Sequence, residues 1–261
     1  MMAFTYTSRT VEVRGQQLYI VEAQPFQDKP TIVFLHDSLG CVRLWRDFPE
    51  KLAMAVQCNV LLYDRWGYGQ SAPMDSYRRP VNYMETEAVI LAEMLEITGH
   101  TNVILFGHSD GGTIALLTAS LYPGLVKALV CEAGHIFVES VTLKGVRAAV
   151  KAYESTDLPT RLAKYHGDKT DTVFKAWTAT WLRPDYHSWN IEALLPAISC
   201  PLLFIQGEQD EYGSVAQVDR TITQVSGPAE KFMIPGIGHT PHKEVSGMVL
   251  EKTTAFINGL L

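Results

Sequence analysis

The sequence predicts an α/β fold: a mostly parallel eight-stranded sheet with helices on both faces and a helical lid inserted after the sixth strand. Three observations predict it. Apolar runs of strand length at residues 31–36, 60–63, 103–106, 126–131 and 201–206 are continuous rather than alternating, as in strands covered on both faces. Stretches with apolar residues at helical spacing separate them, which implies parallel β-α units with right-handed crossovers. From about residue 136 to 190 the strand signals vanish and the chain turns helical and aromatic.

The elements follow in order. Val11, Val13, Leu18, Ile20 and Val21 flank Gly15 and predict an antiparallel hairpin. The run 31–36 ends in the loop His36–Asp37–Ser38–Leu39–Gly40. Leu44, Trp45, Phe48, Leu52 and Val56 recur at helical spacing, and 60–63 form the next strand, followed by the glycine-rich Asp64 to Ser71. A helix over 83–97 stops at Gly99, and the strand 103–106 feeds a helix ending at Leu121, with Pro123 beyond it. After 126–131 and the aromatic insertion come strand 201–206, a helix near 215–225, strand 231–234 and a closing helix to about residue 260. Residues 1–135 and 191–261 are thus expected to form the core, and 136–190 a helical cap. In such sheets ligands bind at the carboxyl ends of the strands.

Bulk properties narrow the function. The 261 residues can bury a substantial core, with 47% hydrophobic and 19% charged residues and a net charge of −6. No basic run suits nucleic acid, and no apolar stretch is long enough to predict a membrane span. The stretch 1–10 is polar and carries Arg9, which argues against a secretory signal. Cys41, Cys58, Cys131 and Cys200 form no C-x-x-C pair, so reduced thiols in a cytoplasmic protein are expected.

The most informative stretch is 103–117. An apolar run ends at Gly107, Ser109 follows, then Gly111 and Gly112, and then a helical pattern. The chain must reverse within about four residues, with Ser109 at the apex of a strained turn and glycine leaving room on either side. This is the G-x-S-x-G arrangement of a nucleophile elbow. The competing reading is a glycine-rich turn that happens to hold a serine. A serine hydroxyl needs a base to take its proton and a third group to orient that base. Asp210 lies just past the strand 201–206, and His239 just past 231–234.

At this point the sequence resembles the α/β-hydrolase superfamily over nearly its whole length, in the branch of serine esterases, valacyclovir-hydrolase-like and meta-cleavage hydrolases. Four signatures fall in the family's order: His36 to Gly40, the D-x-x-G-x-G-x-S loop at Asp64 to Ser71, the elbow, and the G-x-x-D and G-x-x-H tails. The resemblance implies Ser109 as nucleophile, His239 as general base and acid, and Asp210 as its orienting partner. It also implies an oxyanion hole from the backbone N–H of Asp110 and of Ser38, with Leu39 as the alternative in that loop.

Competing readings stand beside each assignment. Asp210 sits near Glu208 and Glu211 in what could be a solvated acidic turn, and Glu132, after the sixth strand, is an alternative acid. His242 competes with His239 but falls at the start of the closing helix. His36 and His108 read as structural. His135, His166 and His187 could line a channel, although surface or core placement is the simpler expectation for each. Gly67–Tyr68–Gly69 lacks a third glycine for a dinucleotide loop, and His239-x-x-His242 lacks a third ligand for zinc. No metal or organic cofactor is expected.

Two residues depart from the family's habit. Asp37 stands where the loop usually reads His-Gly, and Asp110, right after the nucleophile, is acidic. They either shape the loops by bonding local amides or receive a cationic group of the substrate, as in valacyclovir-hydrolase-like amino-acid esterases that share a Ser-Asp-Gly-Gly elbow. Trp177 and Trp181 are candidate pocket residues, with lid packing as the alternative. The expectation is a serine hydrolase of a small ester or related acyl compound, acting as a monomer or homodimer on a small-molecule substrate. Carbon–carbon bond hydrolysis, lyase or cofactor-free oxygenase chemistry, and a small-molecule receptor role are the alternatives on the same scaffold.

Overall fold

Residues 4–261 are described by a computed structural model; the first three residues of the expected core segment and of the polar amino-terminal stretch lie outside it. The chain opens with a hairpin of Thr7–Val13 (β1) and Gln16–Ala23 (β2), turned at Arg14 and Gly15, both with positive φ as a two-residue hairpin turn requires. Thr31–Leu35 (β3), Asn59–Tyr63 (β4), Val103–His108 (β5), Val126–Glu132 (β6), Leu202–Gly207 (β7) and Ala229–Ile234 (β8) complete one sheet. Its order is β1-β2-β4-β3-β5-β6-β7-β8, with β1 and β2 antiparallel to their neighbours and the rest parallel.

Every residue of β3, β4, β5 and β7 is buried, which is why their sequences are unbroken apolar runs. Side chains still alternate between faces. Val33, Leu35 and Leu105 pack with the helices Tyr83–Ile97 and Asp110–Leu121, while Ile32, Phe34, Ile104 and Phe106 pack with Phe48–Val56 and the closing helix. The edges differ: β1 and β8 are largely exposed or half-buried along their lengths.

In chain order the helices are Phe48–Val56 (α1), Tyr83–Ile97 (α2), Asp110–Leu121 (α3), Ser140–Ser155 (α4), Leu158–His166 (α5), Thr170–Leu182 (α6), Val215–Gln224 (α7), Pro241–Glu244 (α8) and Ser246–Asn258 (α9). The helical spacing from Leu44 to Val56 resolves into a 3-10 turn, Val42–Trp45, and then α1. Arg46 at φ 54° breaks the path, and Pro49 could neither donate to nor clear the Trp45 carbonyl in a continuous helix. The closing helix is likewise split at Val245.

Helices α4, α5 and α6 leave the sheet after β6 and return before β7. The two ends of this segment meet: Phe137 and Asn190 form an isolated antiparallel bridge, and Ile191 N donates to Ile136 O at 2.8 Å. Its apolar face, with Val146, Leu162, Phe174, Trp177 and Trp181, joins the larger core cluster. No helix among the described residues is long and apolar enough to cross a membrane.

Candidate active site

The junction of β5 and α3 turns at Ser109, whose φ of 55° and ψ of −120° cost a non-glycine residue about 1–3 kcal/mol. The surrounding packing holds this conformation. A Cβ on Gly107 would sit 2.1 Å from Gly111 O, and one on Gly111 would sit 2.0 Å from Leu35 O. Glycine at both positions lets α3 begin against β5 and β3. Ser109 N donates to Glu132 O at 2.8 Å, which ties the turn to the end of β6.

The loops after β7 and β8 bring two further groups to this turn. His239 Nε2 lies 2.9 Å from Ser109 Oγ, and His239 Nδ1 lies 2.9 and 3.0 Å from the two carboxylate oxygens of Asp210. With Nδ1–H donating to Asp210, Nε2 is the acceptor for the serine hydroxyl. Burial opposes the charge on the His239 ring, but the Asp210 carboxylate and its hydrogen bond outweigh it and raise the imidazole above its ordinary value. Burial also pushes the Asp210 carboxyl up; the facing His239 and the amide of Tyr212 reverse this and hold it below the usual range. Asp210 Oδ1 accepts from Tyr212 N at 2.8 Å and Gly213 N at 3.2 Å, so the loop itself orients the carboxylate. Behind the ring, His108 Nε2–H donates to His239 O at 2.8 Å.

A cavity of about 220 Å³ opens over these groups, lined by Asp37, Ser38, Leu39, Ser109, Asp110, Trp177, Trp181 and His239 among others. The amides of Ser38 and Asp110 donate to no other group of the chain among the described residues. Asp110 is buried, and its Oδ2 accepts from Tyr83 Oη at 3.2 Å and faces Arg65 Nη1 at 3.5 Å. Among the described residues its Oδ1 has no partner. Asp37 is 4.0 Å from His108 Nδ1; burial raises its carboxyl, but Lys243 and the nearby histidines hold it well below the usual range. His135, a channel candidate from sequence, lines the cavity, as do Glu211, Tyr212, Thr142, Val146 and Thr240, which sequence did not place in a pocket. The pairing of α4 with the loop after β7 brings Thr142, Val146, Glu211 and Tyr212 there; Thr142 Oγ1, for instance, donates to Tyr212 O at 2.5 Å.

The other candidates stand outside the Ser109–His239–Asp210 line. Glu132 bonds His242, not His239: Oε1 accepts from His242 N at 2.7 Å and Oε2 from Nδ1 at 2.5 Å. His36 is buried just past β3, with Nδ1 2.8 Å from Asp37 O. His166, at the end of α5, accepts from Gly69 N at 3.1 Å and donates to Leu39 O at 2.9 Å, tying this segment to the loop beside Ser109. His135 Nε2 donates to Tyr212 O at 3.1 Å, and His187 is exposed. His108, Glu132 and His242 place ligand atoms within 4.8 Å of one another; Glu132 and His242 bond each other and His108 Nε2 donates to His239 O, while His108 Nδ1 has no hydrogen-bond partner among the described residues.

A family model described as α/β hydrolase fold matches residues 30–155. Serine hydrolase BPHL of Homo sapiens is 30% identical over 212 residues, covering 78% of this chain and 70% of that protein. The protein of the same name from Mus musculus is 27% identical over 237 residues, covering 88% and 79%. Among solved structures, a 2-hydroxy-6-oxo-6-phenylhexa-2,4-dienoate hydrolase from a Rhodococcus species superposes with a TM-score of 0.82 over 97% of this chain and 99% of that chain, at 13% identity, a likeness of fold.

Proposed function

The chain belongs to the α/β-hydrolase family, and on that premise we propose that it hydrolyses small carboxylic esters through an acyl-enzyme on Ser109. The observation that carries this reading is the unbroken line from Ser109 Oγ to His239 to Asp210, each link 2.9–3.0 Å long. Ser109 Oγ attacks the carbonyl carbon while its proton passes to His239 Nε2. The oxyanion is received by the N–H groups of Ser38 and Asp110, and collapse expels the alcohol, which takes the proton from His239. Water, deprotonated by His239, then attacks the acyl carbon and releases the acid and Ser109. Residues 136–190 act as a cap that walls the cavity with Trp177 and Trp181.

Within this reading the acyl group carries an ammonium. Asp37, Asp110 and Glu211 line the cavity, and no Lys or Arg side chain does among the described residues. Such a pocket favours a cation and disfavours the carboxylate of a dienoic ketone, which weighs against carbon–carbon bond hydrolysis.

Stopped-flow hydrolysis of p-nitrophenyl acetate tests the chemistry. A burst of about one p-nitrophenolate per chain is expected, absent in Ser109→Ala. Turnover that survives Ser109→Ala would sink the nucleophile assignment and favour lyase- or oxygenase-type use of the same base. No turnover of any ester, with tight binding of a small molecule, would favour a receptor.

A further inference from the structure

One fully buried cation touches both halves of the proposed oxyanion hole. Arg65 leaves the end of β4, and its side chain is completely enclosed. Nη2 donates to Asp37 O at 2.8 Å, and Nη1 lies 3.5 Å from Asp110 Oδ2. The guanidinium rests on the Tyr68 ring, with Cζ 4.5 Å from its centroid. Among the described residues Nη1 and Nε make no hydrogen bond, so Nη2 to the Asp37 carbonyl is the one directional contact of this side chain.

Asp37 C=O and Ser38 N–H belong to one planar peptide unit, so fixing the oxygen fixes the direction of the N–H. Three donors converge on that oxygen: Arg65 Nη2, Gly40 N at 3.2 Å, and His36 Nδ1 at 2.8 Å. The His36 tautomer is set by its other nitrogen, because Nε2 accepts from Arg65 N at 3.0 Å and the proton must therefore sit on Nδ1. Burial and the neighbouring Arg65 lower the His36 pKa well below its ordinary value, which keeps the ring neutral. Hydrogen bonds in series polarise one another, so a cation at the carbonyl end of a peptide strengthens the N–H at the other end as a donor. The second oxyanion donor is the backbone N–H of Asp110, and the same guanidinium faces that residue's carboxylate.

Building on the serine-hydrolase reading, we propose that Arg65 is a positioning residue for the oxyanion hole, aiming the Ser38 N–H through the Asp37 carbonyl and the Asp110 N–H through its side chain. A purely structural arginine would support the loop without distinguishing ground state from transition state. A positioning residue acts where negative charge develops.

The test compares Arg65→Met, Arg65→Gln and Arg65→Lys with wild type in ester hydrolysis and in binding of phenylboronic acid, whose adduct on serine is a tetrahedral anion. Removal of one oxyanion donor outright costs about 10²–10³ in kcat, and Arg65 aims donors without being one, so Arg65→Met is expected to lose roughly 10- to 100-fold in kcat with KM within about threefold. Boronate affinity is expected to fall by the same factor as kcat. Gln keeps a donor for the Asp37 carbonyl, and Lys keeps the charge, so both are expected to fall between Met and wild type; they carry the test if Arg65→Met fails to fold. Folded variants with kcat and boronate affinity within about twofold of wild type would overturn the proposal, and so would a loss of kcat with boronate affinity intact. A wild-type protein that neither hydrolyses esters nor binds the boronate would overturn the hydrolase reading itself, and the role of Arg65 with it.

Discussion

His242 gives both its backbone N–H and its Nδ1–H to the carboxylate of Glu132, at 2.7 and 2.5 Å, in a pair that is almost wholly buried beside the triad geometry. The pair sits one ring away from the proposed catalytic histidine: His108 stands between, 5.0 Å from His242 and 5.1 Å from His239, centroid to centroid. Glu132 is therefore occupied as a support for the loop before α8 rather than as the partner of His239. Breaking a buried pair by truncating one member costs about 3–5 kcal/mol. His242→Ala is accordingly expected to lower the thermal midpoint by roughly 6–20 °C, taking about 2–4 °C per kcal/mol for a chain of this size. Ester turnover at 25 °C should fall far less than in Asp210→Ala. Calorimetry alongside kinetics checks this; equal loss of kcat in the two variants would make Glu132–His242 part of the catalytic machinery.

On the proposed mechanism the His239–Asp210 pair sets the pH dependence. The base must be neutral to take the serine proton, and Asp210 raises the His239 pKa above the ordinary 6.5. The acid limb of kcat/KM is expected above pH 6.5, and it should move down in Asp210→Asn as kcat itself falls. Stability runs the other way for this ring. A folded-state pKa raised above the unfolded one gives stability that is present below the unfolded value and lost as pH rises through the folded one. Asp210, depressed in the folded state, gives stability above its unfolded pKa that is lost as pH falls through the folded value. A pH-rate profile for both proteins decides; an acid limb unmoved by Asp210→Asn would contradict the coupling.

Backbone strain at Ser109 predicts a stability difference between two inactive variants. Both Ser109→Ala and Ser109→Gly delete the hydroxyl, yet only glycine occupies φ 55°, ψ −120° without a Cβ clash. Glycine also loses more chain entropy on folding, which offsets part of the relief. Ser109→Gly is expected to be the more stable by about 1 kcal/mol, or roughly 2–4 °C in thermal midpoint. An alanine variant as stable as the glycine variant would mean the turn is not strained.

The proposed ammonium contact makes Asp110 the handle on substrate. A hydrogen bond between charged groups contributes about 1.5–3 kcal/mol, so Asp110→Asn is expected to lower kcat/KM for an α-amino ester roughly 10- to 100-fold more than for its des-amino analogue. Because Asp110 also faces Arg65, some loss common to both substrates is expected, and the ratio is the informative quantity. Equal losses would remove the ammonium from the proposal.

The architecture was legible because its signals are local. Unbroken apolar runs such as 103–106 need burial on both faces, and a glycine-flanked serine between strand and helix has few other uses. The loops holding Asp210 and His239 were legible as strand ends for the same reason. Which carboxylate meets which histidine was implied only by the family resemblance, since Asp210 and Glu132 both lie at strand ends and His239 and His242 are three positions apart; in the fold His239 meets Asp210 at 2.9 Å and His242 meets Glu132. The break at Arg46 escaped a spacing argument that ignores φ. Arg65, and the tie that His166 makes to Leu39, escaped because they rest on contacts to carbonyls 28 and 127 residues away, where side-chain pattern carries no signal.

Ser109 as nucleophile is tested most directly by intact mass spectrometry of the protein after treatment with a fluorophosphonate, followed by peptide mapping. One adduct per chain is expected, on Ser109, absent in Ser109→Ala and slowed in His239→Ala. No adduct on the wild-type protein, or an adduct on another residue that persists in Ser109→Ala, would contradict that assignment.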